Sequence, residues 1–378
     1  MSFDSLGLSA PLLKAIAAQN YTQPYPIQAQ AIPAIIKGKD ILGIAQTGSG
    51  KTASFALPIL EKLYQRKSAV KNRHVTALVL VPTRELAVQV SEVFTDFGNL
   101  LPERVKTMAV YGGVSINPQM INMQGVEILV ATPGRLLDLI SSKAVYLSDV
   151  EVLVLDEADK MLNLGFKEEM DKIFSLLPQN RQNLLFSATL GKDVDGIKEM
   201  ILRDPVKIEI KSEEQNLDII QQTGYWVTED RKGPLLRHLI KEKDMRQVLV
   251  FTSSVHRADA VAEKLKINGI QAAAMHSKKS QGARTQTLRD FKTGKLRVMV
   301  ATDLASRGID IQFLPFVINY ELPRSPKDYI HRIGRTGRAE NPGEAISLVS
   351  QEEEHHFYII QKKMKRRVEM HDTNLLDL

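Results

Sequence analysis

The segment VLVLDEADKML, residues 152–162, decides what kind of chain this is. Val152, Leu153, Val154 and Leu155 form an unbroken apolar run, the pattern of a strand covered on both faces of a parallel sheet. Asp156, Glu157 and Asp159 then arrive within four positions. Carboxylates that close repel one another unless a cation or a bound proton relieves them. An apolar strand that ends in acids points to a ligand at its carboxyl end, where open parallel sheets hold their ligands.

Outward from this segment the same grammar repeats. Short apolar strands alternate with amphipathic helical patterns, which implies βαβ units. Strands are expected in the first half at 40–46, 74–82, 105–111, 126–132, 151–156 and 183–189. The pattern lapses in the polar stretch EIKSEEQNLDII (209–220), which reads as a linker. It restarts with strands expected at 246–254, 269–277, 295–303, 313–321 and 344–350. The halves echo one another: LVLVPTRELAVQV (78–90) shares a layout with VLVFTSSVHRADAV (248–261), as does ILVATPGRLLDL (128–139) with VMVATDLASRGIDI (298–311). The shared VAT is short enough to arise by chance, but the same strand-loop-helix order surrounds it. Two similar α/β domains are expected, 1–208 and 219–378, joined by a linker at 209–218, with a cleft between them.

Composition narrows the class. A chain of 378 residues, 43% hydrophobic and 25% charged, has the make-up of a globular protein with room for two cores. No apolar run reaches membrane-spanning length. The first residues, MSFDSLGLSA, lack the basic start and apolar core of a secretory signal. Cysteine is absent, which excludes disulfides and thiolate metal sites and fits a reducing interior, so a cytoplasmic location is expected. The net charge of +6 is a mild basic surplus, compatible with a polyanionic partner without establishing one.

AQTGSGKT (45–52) lies between the strand DILGI and the helical ASFALPILEKLYQ, the context a phosphate-binding loop demands. Gly48 and Gly50 let backbone N–H groups turn inward, Lys51 brings a charge for the outer phosphates, and Thr52 offers a hydroxyl to Mg²⁺. Asp156 then stands where a strand-end carboxylate holds the magnesium, and Glu157 is placed to orient or deprotonate water. Acids suiting a helix dipole explain one or two of the carboxylates, but not the nucleotide loop beside them.

DEAD at 156–159 together with AQTGSGKT resembles the DEAD-box family of ATP-dependent RNA helicases. Further matches run in order through YTQPYPIQ (21–28), PTRELA (82–87), GG (112–113), TPGR (132–135), SAT (187–189), LVFTSS (249–254), QGAR (281–284), ATDLASRGIDI (301–311) and HRIGRTGR (331–338). The resemblance spans nearly the whole chain and is nearest in flavour to the bacterial RhlE-like branch. It implies an α/β fold of two tandem RecA-like domains, each a mainly parallel sheet flanked by helices, with ATP and Mg²⁺ as cofactors. For the nucleotide it implies Phe3, Tyr21 and Gln28 at the base, Gln46, Thr47, Gly48, Ser49, Gly50, Lys51 and Thr52 at the phosphates, and Gly308 and Asp310 from the second domain. Thr52 and Asp156 are implied as metal contacts. Lys51, Asp156, Glu157, His331, Arg335 and Arg338 are implied in catalysis, with Arg335 and Arg338 as arginine fingers. Three residues apart, those two are expected to share one face of a helical turn.

For RNA the resemblance implies Pro82, Arg84, Gly112, Gly113, Thr132, Arg135, Arg284 and Thr302, and for coupling Ser187, Ala188 and Thr189. Backbone amides, hydroxyls and guanidinium groups suit phosphate and 2′-OH recognition, so binding is expected to be largely independent of base sequence. The activity implied is RNA-stimulated ATP hydrolysis with local duplex unwinding or remodelling of RNA–protein complexes by a monomer, with ribosomal particles or RNA-decay proteins as partners and no membrane. Three rivals stand beside it: a DNA-directed motor of the same superfamily, an ATP-gated RNA clamp that does not unwind, and an inactive RNA-binding relative, against which the presence of Lys51, Asp156, Glu157, Arg335 and Arg338 argues. The basic run QKKMKRRVEM (361–370) follows a helical pattern. Its charge can extend an RNA path, although a solvated helix face is the default for such a run. His355 and His356 are adjacent on that helix and have no third ligand, so surface histidines are preferred to a metal site.

Overall fold

The computed structural model describes residues 2–46, 48–66, 71–189, 191–210, 219–303, 311, 314–337 and 343–373. The chain forms two compact units, Met1–Ser212 and Glu213–Leu378.

Apolar tetrapeptides build the first sheet. Strands β1 (Ile41–Ile44), β2 (Ala77–Leu80), β3 (Thr107–Val110), β4 (Ile128–Ala131), β5 (Val152–Leu155), β6 (Gln182–Ser187) and β7 (Val206–Glu209) run parallel in the order β3-β4-β2-β5-β6-β1-β7. Because side chains alternate along a strand, each apolar pair splits between two cores. Ile41, Val79, Val130, Val154 and Leu184 face one core, which is closed by the helices Pro26–Ile36, Lys51–Arg66 and Arg84–Gly98. Leu42, Leu78, Leu129, Leu153 and Leu185 face the other, closed by the helices Pro133–Ser141, Lys167–Leu176 and Lys192–Ile201.

The second unit repeats the plan. Strands β8 (Ile220–Trp226), β9 (Val248–Thr252), β10 (Ala272–Met275), β11 (Val298–Thr302), β12 (Phe316–Asn319), β13 (Gly343–Val349) and β14 (Glu369–Asp372) are again parallel, in the order β10-β11-β9-β12-β13-β8-β14. Numbered within each unit, the two orders are the same permutation of seven strands. The sequence echoes fall on equivalent places: β2 matches β9, and β4 matches β11. The helices that follow β2 and β9 are capped alike, with Thr83 accepting from Leu86 N and Ser254 from Arg257 N.

Three strands escape the apolar pattern. β7 is an edge strand that buries only Ile208, so it reads as polar. It pairs with β1, and Ile210 N still donates to Ile44 O at 2.9 Å. The first residues of the expected linker therefore belong to the sheet. β8 carries buried Gln222 and Thr223, and β14 is a charged edge strand in the run expected to stay helical. Paired backbone, rather than apolar side chains, makes all three strands.

Candidate nucleotide and nucleic-acid sites

β1 runs into the glycine loop, where Ala45 N extends the ladder to Ser187 O at 3.0 Å. Gly48 and Gly50 take left-handed φ values of 83° and 88°, which glycine adopts without steric cost. Ser49 donates to Gln46 O through Oγ at 2.8 Å, tightening the turn before the helix starts at Lys51. Thr47 lies outside the described residues. Lys51 is buried and its Nζ donates to Ala45 O at 2.7 Å, so its charge is held inside the loop it would use to grip phosphate. Half-buried Thr52 follows on the first helical turn.

Gln28 ties a second segment to this loop. Fully buried, it accepts from Tyr25 N at 2.9 Å through Oε1 and donates to Gly50 O at 3.1 Å through Nε2. A Cβ on Gly50 would stand 2.6 Å from that Nε2, so contact with Gln28 and the backbone angle both require glycine there. Each amide atom of Gln28 keeps one further bonding position. Tyr21 is half-buried, edge-on to Phe97 at 5.5 Å and to Phe3 at 6.4 Å. Phe3 is buried in the core and meets solvent-facing chemistry only through its edge contact with Tyr21.

β5 delivers the acids. Asp156 N extends the ladder to Leu80 O at 3.0 Å, and the carboxyl is buried with Oδ1 lacking a hydrogen-bond partner among the described residues. Burial pushes its pKa up to about 6 against the pull of Lys51, and Glu157 adds to the rise. Glu157 takes a left-handed φ of 56°, which costs a non-glycine residue on the order of 1–2 kcal/mol. Its Oε1 pairs with Lys160 Nζ at 2.6 Å, while Oε2 has no hydrogen-bond partner among the described residues. Asp159 Oδ2 accepts from Thr189 Oγ1 at 3.0 Å. Ser187 Oγ donates to Thr189 O at 2.7 Å, closing a small turn through Ala188 at the end of β6. The acids at 156–159 and the SAT turn are thus physically joined.

The nucleic-acid candidates occupy the other half of the same sheet edge. Buried Pro82 and half-buried Arg84 follow β2, Gly112 and Gly113 follow β3, and Thr132 with Arg135 follows β4. These three strands are neighbours, as are β5, β6 and β1 with the nucleotide residues. Arg84 lies so close over Gly113 that any Cβ there would collide with the guanidinium group. Arg135 is mostly enclosed: Nη2 donates to Val114 O at 2.9 Å and Nε to Asp138 at 3.3 Å, with Nη1 lacking a hydrogen-bond partner among the described residues. Gln119, which no motif marks, holds the glycine loop by accepting from Tyr111 N and donating to Tyr111 O and Ser115 O.

In the second unit, buried Thr302 ends β11 and Arg284 lies on the helix Gln281–Lys292, which is capped by Ser280. Thr302 and Thr132 occupy equivalent strand ends. Glu321, after β12, accepts from Ser253 N and Oγ at 2.8 Å each and from Arg257 Nε at 3.2 Å. The helix Pro326–Ile333 ends at Gly334, leaving Arg335 beyond it in a stretch where Thr336 bridges to Leu314. Bonds from Arg335 N to Arg332 O and from Thr336 N to Ile333 O continue a turn past the helix end, and Gly337, at φ 82°, turns the chain again; the expected shared face of Arg335 and Arg338 involves a residue outside the described ones. His331 is exposed and Arg335 half-buried. Gly308, Asp310 and Arg338 lie outside the described residues. Arg332, which nothing in its local sequence singles out, is nearly fully buried. It binds Asp303 through two bonds of 2.6 and 2.7 Å and donates to Asn319 Oδ1 and Glu321 O. The adjacent histidines stay surface residues, with His356 Nε2 donating to Pro323 O at 2.7 Å.

A phosphate loop beside a carboxylate-bearing strand end, on a parallel sheet repeated with the same strand order, defines a P-loop nucleotide-binding protein with two RecA-like units. A DEAD/DEAH box helicase model matches residues 25–197, and a helicase conserved C-terminal domain model matches 231–340. The DEAD-box ATP-dependent RNA helicase CshA of Streptococcus pneumoniae is 43% identical over 369 residues, 97% of this chain and 69% of that one. CshA of Geobacillus kaustophilus is 40% identical, over 100% of this chain and 79% of that one. Saccharomyces cerevisiae Dbp5 bound to RNA and ADP BeF3 superposes with a TM-score of 0.82 at 30% identity, covering 99% of this chain and 96% of that one. A DEAD box protein from Methanococcus jannaschii gives 0.54 at 36%, covering 98% and 99%. This chain belongs to the DEAD-box ATP-dependent RNA helicases. The CshA name of these relatives does not bear on the RhlE-like branch.

Proposed function

We propose that the chain is an RNA-stimulated ATPase that grips RNA largely without regard to base sequence and locally separates short duplexes or remodels RNA–protein complexes. The observation that carries this reading is the division of one sheet edge: nucleotide candidates follow β1 and β5, the SAT turn follows β6 between them, and nucleic-acid candidates follow the adjoining β2, β4 and β3. Two ligands on one rigid sheet can influence each other's affinity.

The residues fit a divalent cation. Asp156 brings a buried carboxylate oxygen without a partner among the described residues, and Thr52 brings a hydroxyl. A Mg²⁺ held by one or two protein oxygens would complete its shell with phosphate oxygens and water. When bound, Mg²⁺ supplies positive charge to the phosphate oxygens. Lys51 exchanges Ala45 O for phosphate, Tyr21 and Gln28 hold the base, and Glu157 orients or deprotonates water. Arg335 and Arg338 act as guanidinium groups on the transferring phosphoryl, with His331, Gly308 and Asp310 as further contacts. Ser187, Ala188 and Thr189 pass the state of the acids to strand separation. Action as a cytoplasmic monomer, on ribosomal particles or with RNA-decay proteins, belongs to the proposal on family resemblance alone.

The test is the ATPase rate with no nucleic acid, with single-stranded RNA and with single-stranded DNA, beside displacement of a short RNA duplex. Stimulation of at least tenfold by RNA over DNA, with ATP-dependent displacement, is expected. Equal stimulation by DNA removes the RNA assignment, and absence of displacement favours a clamp. Arg335→Ala and Arg338→Ala should each lower RNA-stimulated turnover by orders of magnitude while ATP binding stays near normal.

A further inference from the structure

The helix Glu354–Met364 in the second unit has an inner face of Phe357, Ile360 and Met364 packed in the core. Its outer face takes no part in the nucleotide or nucleic-acid motifs. Tyr358 keeps 60% of its surface exposed and Ile359 42%, and Lys362 and Lys363 stand one turn on from them, at i+4. Past the helix end Lys365 adopts a left-handed φ of 56°, and exposed Arg367 follows before β14. Residues 361–368 contain five cations and no acid. Among the described residues, Lys362, Lys363, Lys365 and Arg367 have no ion-pair partner, whereas Arg366 is engaged within the chain and the next acid, Glu369, pairs with His371.

A helix dipole accounts for cations in the last turn, at Lys362 and Lys363. It does not account for Lys365 and Arg367 beyond the helix, nor for an aromatic and an aliphatic side chain left in water beside them. An exposed ring among uncompensated cations is the composition of a single-strand platform, where a base stacks on the ring and phosphates meet the cations. β14 is the edge strand at the far end of the sheet from β10 and β11, and because the helix runs back from the end of β13 to the start of β14, the cations lie at the opposite sheet edge from Thr302, which ends β11. Five strand spacings separate β11 from β14, about 24 Å at ~4.8 Å each, and the change of sheet edge lengthens the path, so only a strand that runs across the unit touches both.

We propose that Tyr358, Lys362, Lys363, Lys365 and Arg367 form an auxiliary contact for single-stranded RNA, reached only by strands that extend well past the main grip. The inference rests on RNA being the polymer bound. It is tested by fluorescence anisotropy of six- and twenty-nucleotide RNAs over a salt series, comparing the native chain with Lys362→Gln/Lys363→Gln/Lys365→Gln/Arg367→Gln and with Tyr358→Ala. For the quadruple variant, affinity for the twenty-mer should fall about tenfold or more. The slope of log K against log salt should flatten by about 2–3, at ~0.7 per lost phosphate contact. The six-mer affinity and the ATPase rate at saturating RNA should not change, which also shows that the variant is folded. Tyr358→Ala should weaken the twenty-mer about tenfold with the salt slope kept. An unchanged twenty-mer affinity and slope makes the face merely solvated and overturns the proposal, as does equal loss for both lengths. So does a polyglutamate peptide that competes as well as RNA, which makes the partner an acidic protein. If the native chain binds neither RNA, the proposed function itself fails.

Discussion

Lys160 Nζ lies 2.6 Å from Glu157 Oε1, just where the backbone at Glu157 swings into the left-handed region. One carboxylate oxygen is fixed by the ion pair and the other is left for a water molecule. Glutamine at 157 keeps an oxygen for Lys160 but loses the charge that draws a proton from water. Glu157→Gln should therefore cut RNA-stimulated hydrolysis at least a hundredfold and leave nucleotide and RNA affinity within about threefold. Normal turnover in that variant, measured by phosphate release, would mean that Glu157 is not the group that activates water.

Burial of the Asp156 carboxyl costs stability at neutral pH. Its pKa is raised to about 6 because burial outweighs the attraction of Lys51. A raised carboxyl pKa means that the folded state holds the proton more tightly. Its contribution to stability is full below about pH 4 and lost as pH rises through about 6, a loss on the order of 3 kcal/mol. Asp156→Asn should raise the ligand-free melting temperature by several degrees above pH 7, with the gap closing toward pH 4. Mg·ATP should no longer stabilise that variant. Thermal melts that show no gap at pH 7.5 would contradict the charge-burial account.

Thr189 Oγ1 holds Asp159 Oδ2 at 3.0 Å, which ties the SAT turn to the acids. Thr189→Ala should leave ATPase activity within about threefold and lower displacement of a short RNA duplex about tenfold. If the two activities fall in parallel, the turn is part of the hydrolytic site and not a coupling element.

Arg332 sits in the core of the second unit, with two bonds to Asp303 and its guanidinium 4.9 Å from the Phe251 ring centre. Removing one member of a buried pair strands the other, at about 3–5 kcal/mol. Arg332→Ala should destabilise by that order in urea denaturation. Arg332→Lys should recover only part of it, since an ammonium cannot make the bidentate contact. A lysine variant as stable as the native chain would show that charge, and not planar geometry, holds this site.

Much of the site was legible because its chemistry needs particular residues next to one another in the chain. Gly48, Gly50 and Lys51 form one loop, and Asp156 through Asp159 form one strand end. Other roles were hidden because they depend on packing across the fold. HRIGRTGR offers arginines of equal appearance, and only the end of the helix at Gly334 separates buried Arg332 from half-buried Arg335. The TPGR motif marks Arg135, but not that its guanidinium also binds Val114 O and Asp138. Gln28 stood out as a base reader, but its bond to Gly50 O joins residues 22 positions apart. Gln119 and Lys160 carry no local signal at all.

The sequence by itself determined the parallel α/β class, the two-unit plan, the phosphate loop and the acidic strand end, because strand burial and phosphate binding are written in short contiguous patterns. Only the tertiary structure decided the strand orders, the edge strands β7 and β14, and the grouping of the motifs after β1, β5 and β6 apart from those after β2, β3 and β4 along one sheet edge. Those features come from backbone pairing and from contacts between residues far apart in the chain, and no local pattern of side chains encodes them.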